Sequence, residues 1–152
     1  MAAMVDPFGR KRPAGKVSGT KKKIANPAKP KKKRDQRLHA FLEGRITLAD
    51  LEGLTKKQLY EWAELGHAEL VAGRFEQARA VFDGLHALDP YDAYFISALG
   101  SIAHQAGELD EAEARYSRAL EINPYAPFAL AHRGEIRIMT GRLDLGVKDL
   151  IR

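Results

Sequence analysis

The chain repeats itself every 34 residues, and that period constrains its fold more than any other feature. Residues 59–92 laid over residues 93–126 without a gap set Leu65-Gly66 on Leu99-Gly100 and Gly73 on Gly107. The same overlay sets Phe75 on Leu109, Ala78 on Ala112, Phe82 on Tyr116 and Pro90 on Pro124. A third copy starts at Pro127, with Gly134, Gly141, Leu143, Gly146 and Leu150 in the matching slots. A period of this length marks a unit that buries its apolar face by stacking on copies of itself. Each match has a mechanical reason. Glycine at the eighth position and alanine at the twentieth let two helices cross with their backbones close. Glycine at the fifteenth position (73, 107, 141) ends the first helix in a left-handed cap. Proline at 90 and 124 stops the second helix, because the residue before it is pushed out of helical geometry. Asp110, with Glu113 three residues on, sits where a capping box would open the second helix, and Asp144 takes the same slot in the third copy. The stretch "LDPYD" is therefore the joint between two helical hairpins.

Trp62, Leu65, Gly66, Ala78, Phe82 and Pro90 fall on signature positions, and residues 59–152 resemble the tetratricopeptide repeat. The resemblance implies an all-α fold of hairpins stacked in a right-handed superhelix, as repeats 59–92, 93–126 and an incomplete 127–152. Two departures stand out: Gly146 replaces the small alanine, and the third copy is eight residues short. Upstream, residues 38–58 read as a helical prelude. Leu38, Phe41 and Leu42 share one side of a short helix. Thr47 and Thr55 are N-cap candidates, with Asp50 and Gln58 three residues later.

Charge divides the chain. Residues 1–37 hold 13 Lys and Arg against 2 Asp and Glu, a net of +11, while the rest carries −6. The first region has too little apolar surface to offset its ordering entropy and is expected to be a disordered basic arm. Lys21, Lys22, Lys23, Lys31, Lys32, Lys33 and Arg34 cluster within it and would make a weak, non-specific, salt-dependent polyanion contact. A solubilising tail and a contact with an acidic protein surface remain open readings of the arm. No aromatic residue interleaves with these cations, so base stacking is excluded. No stretch approaches the roughly 20 apolar residues of a membrane span, and the start lacks the apolar core of a secretory signal. There are no cysteines, which removes disulfides, thiolate catalysis and Cys-type zinc sites and fits a cytoplasmic protein.

Catalytic chemistry finds no footing. Histidines 39, 67, 86, 104 and 132 show no metal-ligand spacing such as HExxH. Glu108, Asp110, Glu111 and Glu113 lie at a helix start, where they favour the dipole. The expectation is a protein without enzymatic activity, cofactor or metal.

The order "LHAFLEG", "ITLADLEGL", first repeat, "LDPYDAYFISALG", Gln105 and Tyr116-Ser117 resembles the class II chaperones of type III secretion systems. The resemblance implies a cytoplasmic protein that shields an extended segment of a translocator-type substrate in a concave groove. The basic arm is foreign to that pattern, and its usual C-terminal helix is not present. Positions 2, 5, 9 and 12 of each repeat would line the groove. They are Tyr60, Ala63, His67 and Leu70, then Tyr94, Ser97, Ser101 and His104, then Phe128, Ala131, Glu135 and Ile138. Small residues among aromatic ones leave pockets for apolar side chains. A clamp for a C-terminal carboxylate would need Lys, Arg and Asn at these places, and they are absent. The alternative is an adaptor or scaffold tethered through its arm to an acidic partner, nucleic acid or a membrane. Leu143, Leu145, Val147, Leu150 and Ile151 have too few neighbours in the last repeat, so a second copy or another partner is expected to cover them.

Overall fold

A computed structural model describes residues 31–152, and these form eight α-helices and no strand. The helices are α1 (Lys31–Leu42), α2 (Leu48–Glu52), α3 (Lys56–Val71), α4 (Phe75–Leu88), α5 (Ala93–Gln105), α6 (Leu109–Ile122), α7 (Pro127–Met139) and α8 (Leu143–Leu150). Helices α3 and α4, α5 and α6, and α7 and α8 pack as hairpins, and α4 on α5 and α6 on α7 stack one hairpin on the next. None of these helices is long and apolar enough to cross a membrane.

The glycines of the eighth repeat position make the hairpins close. A Cβ on Gly66 would lie 2.8 Å from the Phe82 ring, and one on Gly100 would lie 3.0 Å from the Tyr116 ring. The missing side chain is the slot for the aromatic residue of the second helix. Gly73, Gly107 and Gly141 end the first helices at φ 73°, 83° and 82°, a left-handed conformation that costs a Cβ-bearing residue energy. Two cores result. One joins Leu59, Ala63, Leu70, Ala78, Phe82, Leu85, Phe95 and Ile102. The other joins Ile96, Ala112, Tyr116, Leu120, Leu130 and Ile136. Helix α5 feeds both, which is why its buried residues run without a break from Phe95 to Gly100.

Helix starts agree with the sequence in the prelude and differ in the repeats. Thr47 and Thr55 close full capping boxes with Asp50 and Gln58. Asp110 is not a cap: α6 starts at Leu109 behind Glu108, whose side chain makes no capping bond. Asp144 likewise lies inside the first turn of α8. Glu113, cast as the partner in that box, instead accepts bonds from Arg137 and Arg142 of the last hairpin.

The prelude also starts earlier than expected. Helix α1 runs from Lys31, so residues 31–37, assigned by composition to the disordered arm, are helical. The run "RDQRLHAFL" continues a helix without a breaker, and charge alone does not stop one. Lys32, Lys33 and Arg34 are exposed on it. Lys21, Lys22 and Lys23 lie outside the described residues.

Candidate functional site

A groove of about 580 Å³ opens between the end of α3, the face of α5 and the start of α7. Ser97 and Ser101 of α5 form its base and Tyr94 its leading edge, with Leu70 and His67 on one wall and Phe128 on the other. The sequence placed all six there. The groove also takes in Val71, Ala93, Ala98, Gln105, Asn123, Ala126, Pro127 and His132, which repeat position alone missed. His132 had a signal, since it stands four residues after Phe128 and shares its helical face. Asn123, Ala126 and Pro127 had none, because only the curvature of the stack brings the second joint over α5.

The other six positions do different work. Ala63 is 1% exposed inside the first core and does not reach the groove surface. Tyr60 backs the wall: its ring lies 5.6 Å from that of Tyr94, and its hydroxyl donates to Asp92 Oδ2 at 3.0 Å. Ile138 packs towards α8, where a Cβ on Gly146 would come within 2.6 Å of it. Ala131 and Glu135 are exposed beyond the groove, and the His104 ring lies 5.8 Å from that of His132.

The groove is apolar and electrically quiet at its base. Ser97 Oγ donates to the carbonyl of Ala93 at 2.8 Å, so a small hydroxyl residue contributes space with its polar atom satisfied. Tyr94 is flanked by Phe82, Phe95 and Tyr60 with centroids 5.6 to 6.2 Å away, which fixes the ring at the leading edge. Burial raises the Tyr94 phenol above its ordinary value of 10, with Asp92 and Glu64 adding to the shift. Burial pushes the Tyr116 phenol up to about 12 against the opposing pull of the Ser101 hydroxyl beside it. Both phenols are therefore neutral at physiological pH.

The joint "LDPYD" holds the groove's first wall in register. Asp92 caps α5 by accepting from the Tyr94 amide at 3.0 Å. Lys56 Nζ reaches back to bridge Asp89 Oδ2 at 2.5 Å and Asp92 Oδ2 at 2.9 Å. Burial works to lower the Lys56 pKa, but its bonds to Asp89 and Asp92 outweigh that and raise it. The second joint keeps only the Asn123 turn, in which the side-chain oxygen accepts from the Tyr125 amide at 3.2 Å.

The tetratricopeptide repeat family matches residues 69–133. No curated protein matches the chain by sequence. Among solved structures, the chain is similar to the type III secretion translocator chaperone SycD of Yersinia enterocolitica, at 27% identity and a TM-score of 0.65, covering 70% of this chain and 79% of that one. A T3SS complex from Aeromonas hydrophila matches at 27% identity and a TM-score of 0.66, covering 76% and 79%. PcrH, solved in complex with the chaperone binding region of PopB, matches at 28% identity and a TM-score of 0.58, covering 64% and 78%. The period, the closely crossing hairpins and these likenesses agree: the chain has a tetratricopeptide-repeat fold and is similar to the translocator chaperones of type III secretion systems.

Proposed function

We propose that the protein is a cytoplasmic chaperone that shields an extended segment of a type III secretion translocator-type substrate in the groove over α5. The observation that carries the reading is the groove itself: an apolar trough of about 580 Å³ with aromatic rims at Tyr94 and Phe128 and small residues between them. PcrH, of the same fold, is solved with the chaperone binding region of PopB, which makes a translocator segment the natural occupant. Each apolar anchor seated in such a groove contributes roughly 1.5–3 kcal/mol before ordering costs. The mechanism is burial without turnover: the groove removes apolar surface of the substrate from water and so suppresses its aggregation.

Co-expression with a candidate translocator tests this. Tyr94→Glu and Phe128→Glu are each expected to leave the chaperone folded and the substrate insoluble, because a carboxylate would be desolvated against the bound segment. Unchanged substrate solubility with both variants overturns the groove assignment.

The adaptor reading draws on one observation, the exposed Lys32, Lys33 and Arg34 on α1, which would hold an acidic surface while the groove holds a regulatory partner. Deleting residues 1–34 separates the two: loss of partner binding with the groove intact favours the adaptor. A second copy of the chain is a further partner in this proposal. Leu143, Leu145, Val147, Leu150 and Ile151 are exposed and offer it an apolar face, and sedimentation velocity over a range of concentrations is expected to show self-association.

A further inference from the structure

The fold assembles a set of metal-ligating side chains that linear spacing does not reveal. His104 of α5 and His132 and Glu135 of α7 each place one ligand atom so that all three lie within 4.8 Å of one another. We propose that these residues form a three-ligand site for a divalent transition-metal ion of the zinc class, clasping the second hairpin to the third at the rim of the groove. Two imidazoles and one carboxylate are a donor set that zinc takes, leaving a fourth position for water or a bound partner.

The repeat supplies an internal control. One period earlier the same three places are held by Leu70, Ala98 and Ser101, and that interface packs well, with Leu70 and Ala98 both in the first core. Stacking of hairpins therefore requires no histidine or glutamate there. At the second interface two half-buried imidazoles, His104 and His132, replace the apolar pair Leu70 and Ala98, against the general cost of moving polar groups out of water, and the exposed Glu135 replaces Ser101.

The ligands are also held in place. The His132 ring stacks on Tyr116 at 5.7 Å and 17°, and meets the Phe128 ring edge-on at 4.3 Å. Glu135 Oε2 lies 3.3 Å from His132 Nδ1, one helical turn away. His104 approaches from the other helix and is half-buried, as is His132. Zinc–nitrogen bonds of 2.0–2.1 Å in a tetrahedron set ligands about 3.4 Å apart. From separations of at most 4.8 Å the cluster reaches that spacing by a closure of up to about 1.4 Å, within the freedom of χ rotation.

Zinc titration of the full-length chain against a chromophoric chelator tests the site. One Zn²⁺ per chain is expected, with a rise in melting temperature. His104→Gln and Glu135→Gln each should weaken binding by about 100-fold or more and abolish that rise, while His39→Gln on α1 binds as the native chain does. In the unaltered protein, Zn²⁺ should shift the imidazole resonances of His104 and His132 and leave that of His39 in place, a readout independent of any variant's folding. Absence of stoichiometric binding overturns the proposal, as does native affinity in both cluster variants or a shift confined to other histidines.

Discussion

Gly146 sits where the repeat pattern asks for alanine, and the reason is a backbone rather than a side chain. A Cβ there would lie 2.7 Å from the carbonyl oxygen of Gly134 and 2.6 Å from Ile138 Cγ1. In the first two hairpins the eighth-position glycine meets an aromatic ring that can turn. In the third it meets another glycine, so α7 and α8 cross more closely. Alanine normally favours a helix over glycine by up to about 1 kcal/mol, but a carbonyl cannot step aside as a ring can. Gly146→Ala is expected to destabilise the protein by about 1–3 kcal/mol. Gly84→Ala, where nothing lies within 4 Å of the new methyl, should stabilise it by roughly 0.5–1 kcal/mol. Urea unfolding of the two variants checks both signs. The departure at 146 was visible in the sequence; that it is the tightest crossing in the stack required the coordinates.

Helices α6, α7 and α8 are tied by an ion cluster that no periodicity announces. Asp149 accepts from Arg133 Nε at 2.8 Å and from Arg137 at 2.8 Å. Glu113 accepts from Arg137 Nε at 2.8 Å and from Arg142 at 2.5 Å. Burial tends to raise both carboxyl pKa values, but the arginine bonds prevail and hold Glu113 below its ordinary 4.5 and Asp149 below its ordinary 3.8. A carboxylate depressed in the folded state contributes stability that is fully present above its unfolded pKa and is lost as pH falls through the folded one. Thermal melts are therefore expected to hold steady down to about pH 5 and to fall below it. Asp149→Asn should blunt the acid slope and cost about 1–3 kcal/mol at neutral pH, read by calorimetry. At the same scale, the capping boxes at Thr47 and Thr55 were legible because residue type and spacing fully specify them. Asp110 misled because the same letters also serve a first helical turn, and Glu113 had a stronger partner in the next hairpin.

Across the whole molecule, the groove and the basic region make opposite demands on solvent. Binding by an apolar trough should show a negative heat-capacity change and little dependence on salt. Contacts made by Lys32, Lys33, Arg34 and the lysines before them should weaken steeply as salt is raised. Isothermal titration of a translocator peptide at two salt concentrations and several temperatures is expected to show the first behaviour with the full chain. Strong salt dependence there would move the binding site from α5 to the basic segment. What the sequence determined by itself was the all-α repeat, its glycine-ended first helices and six of the fourteen residues that line the groove, because period, caps and helical faces are local properties. The tertiary structure decided the rest: the joint at 123–127 folded over α5, the withdrawal of Ala63 into the core and the meeting of His104 with His132 and Glu135. Those depend on the angle between successive hairpins, which many distant side chains set together and no short stretch encodes.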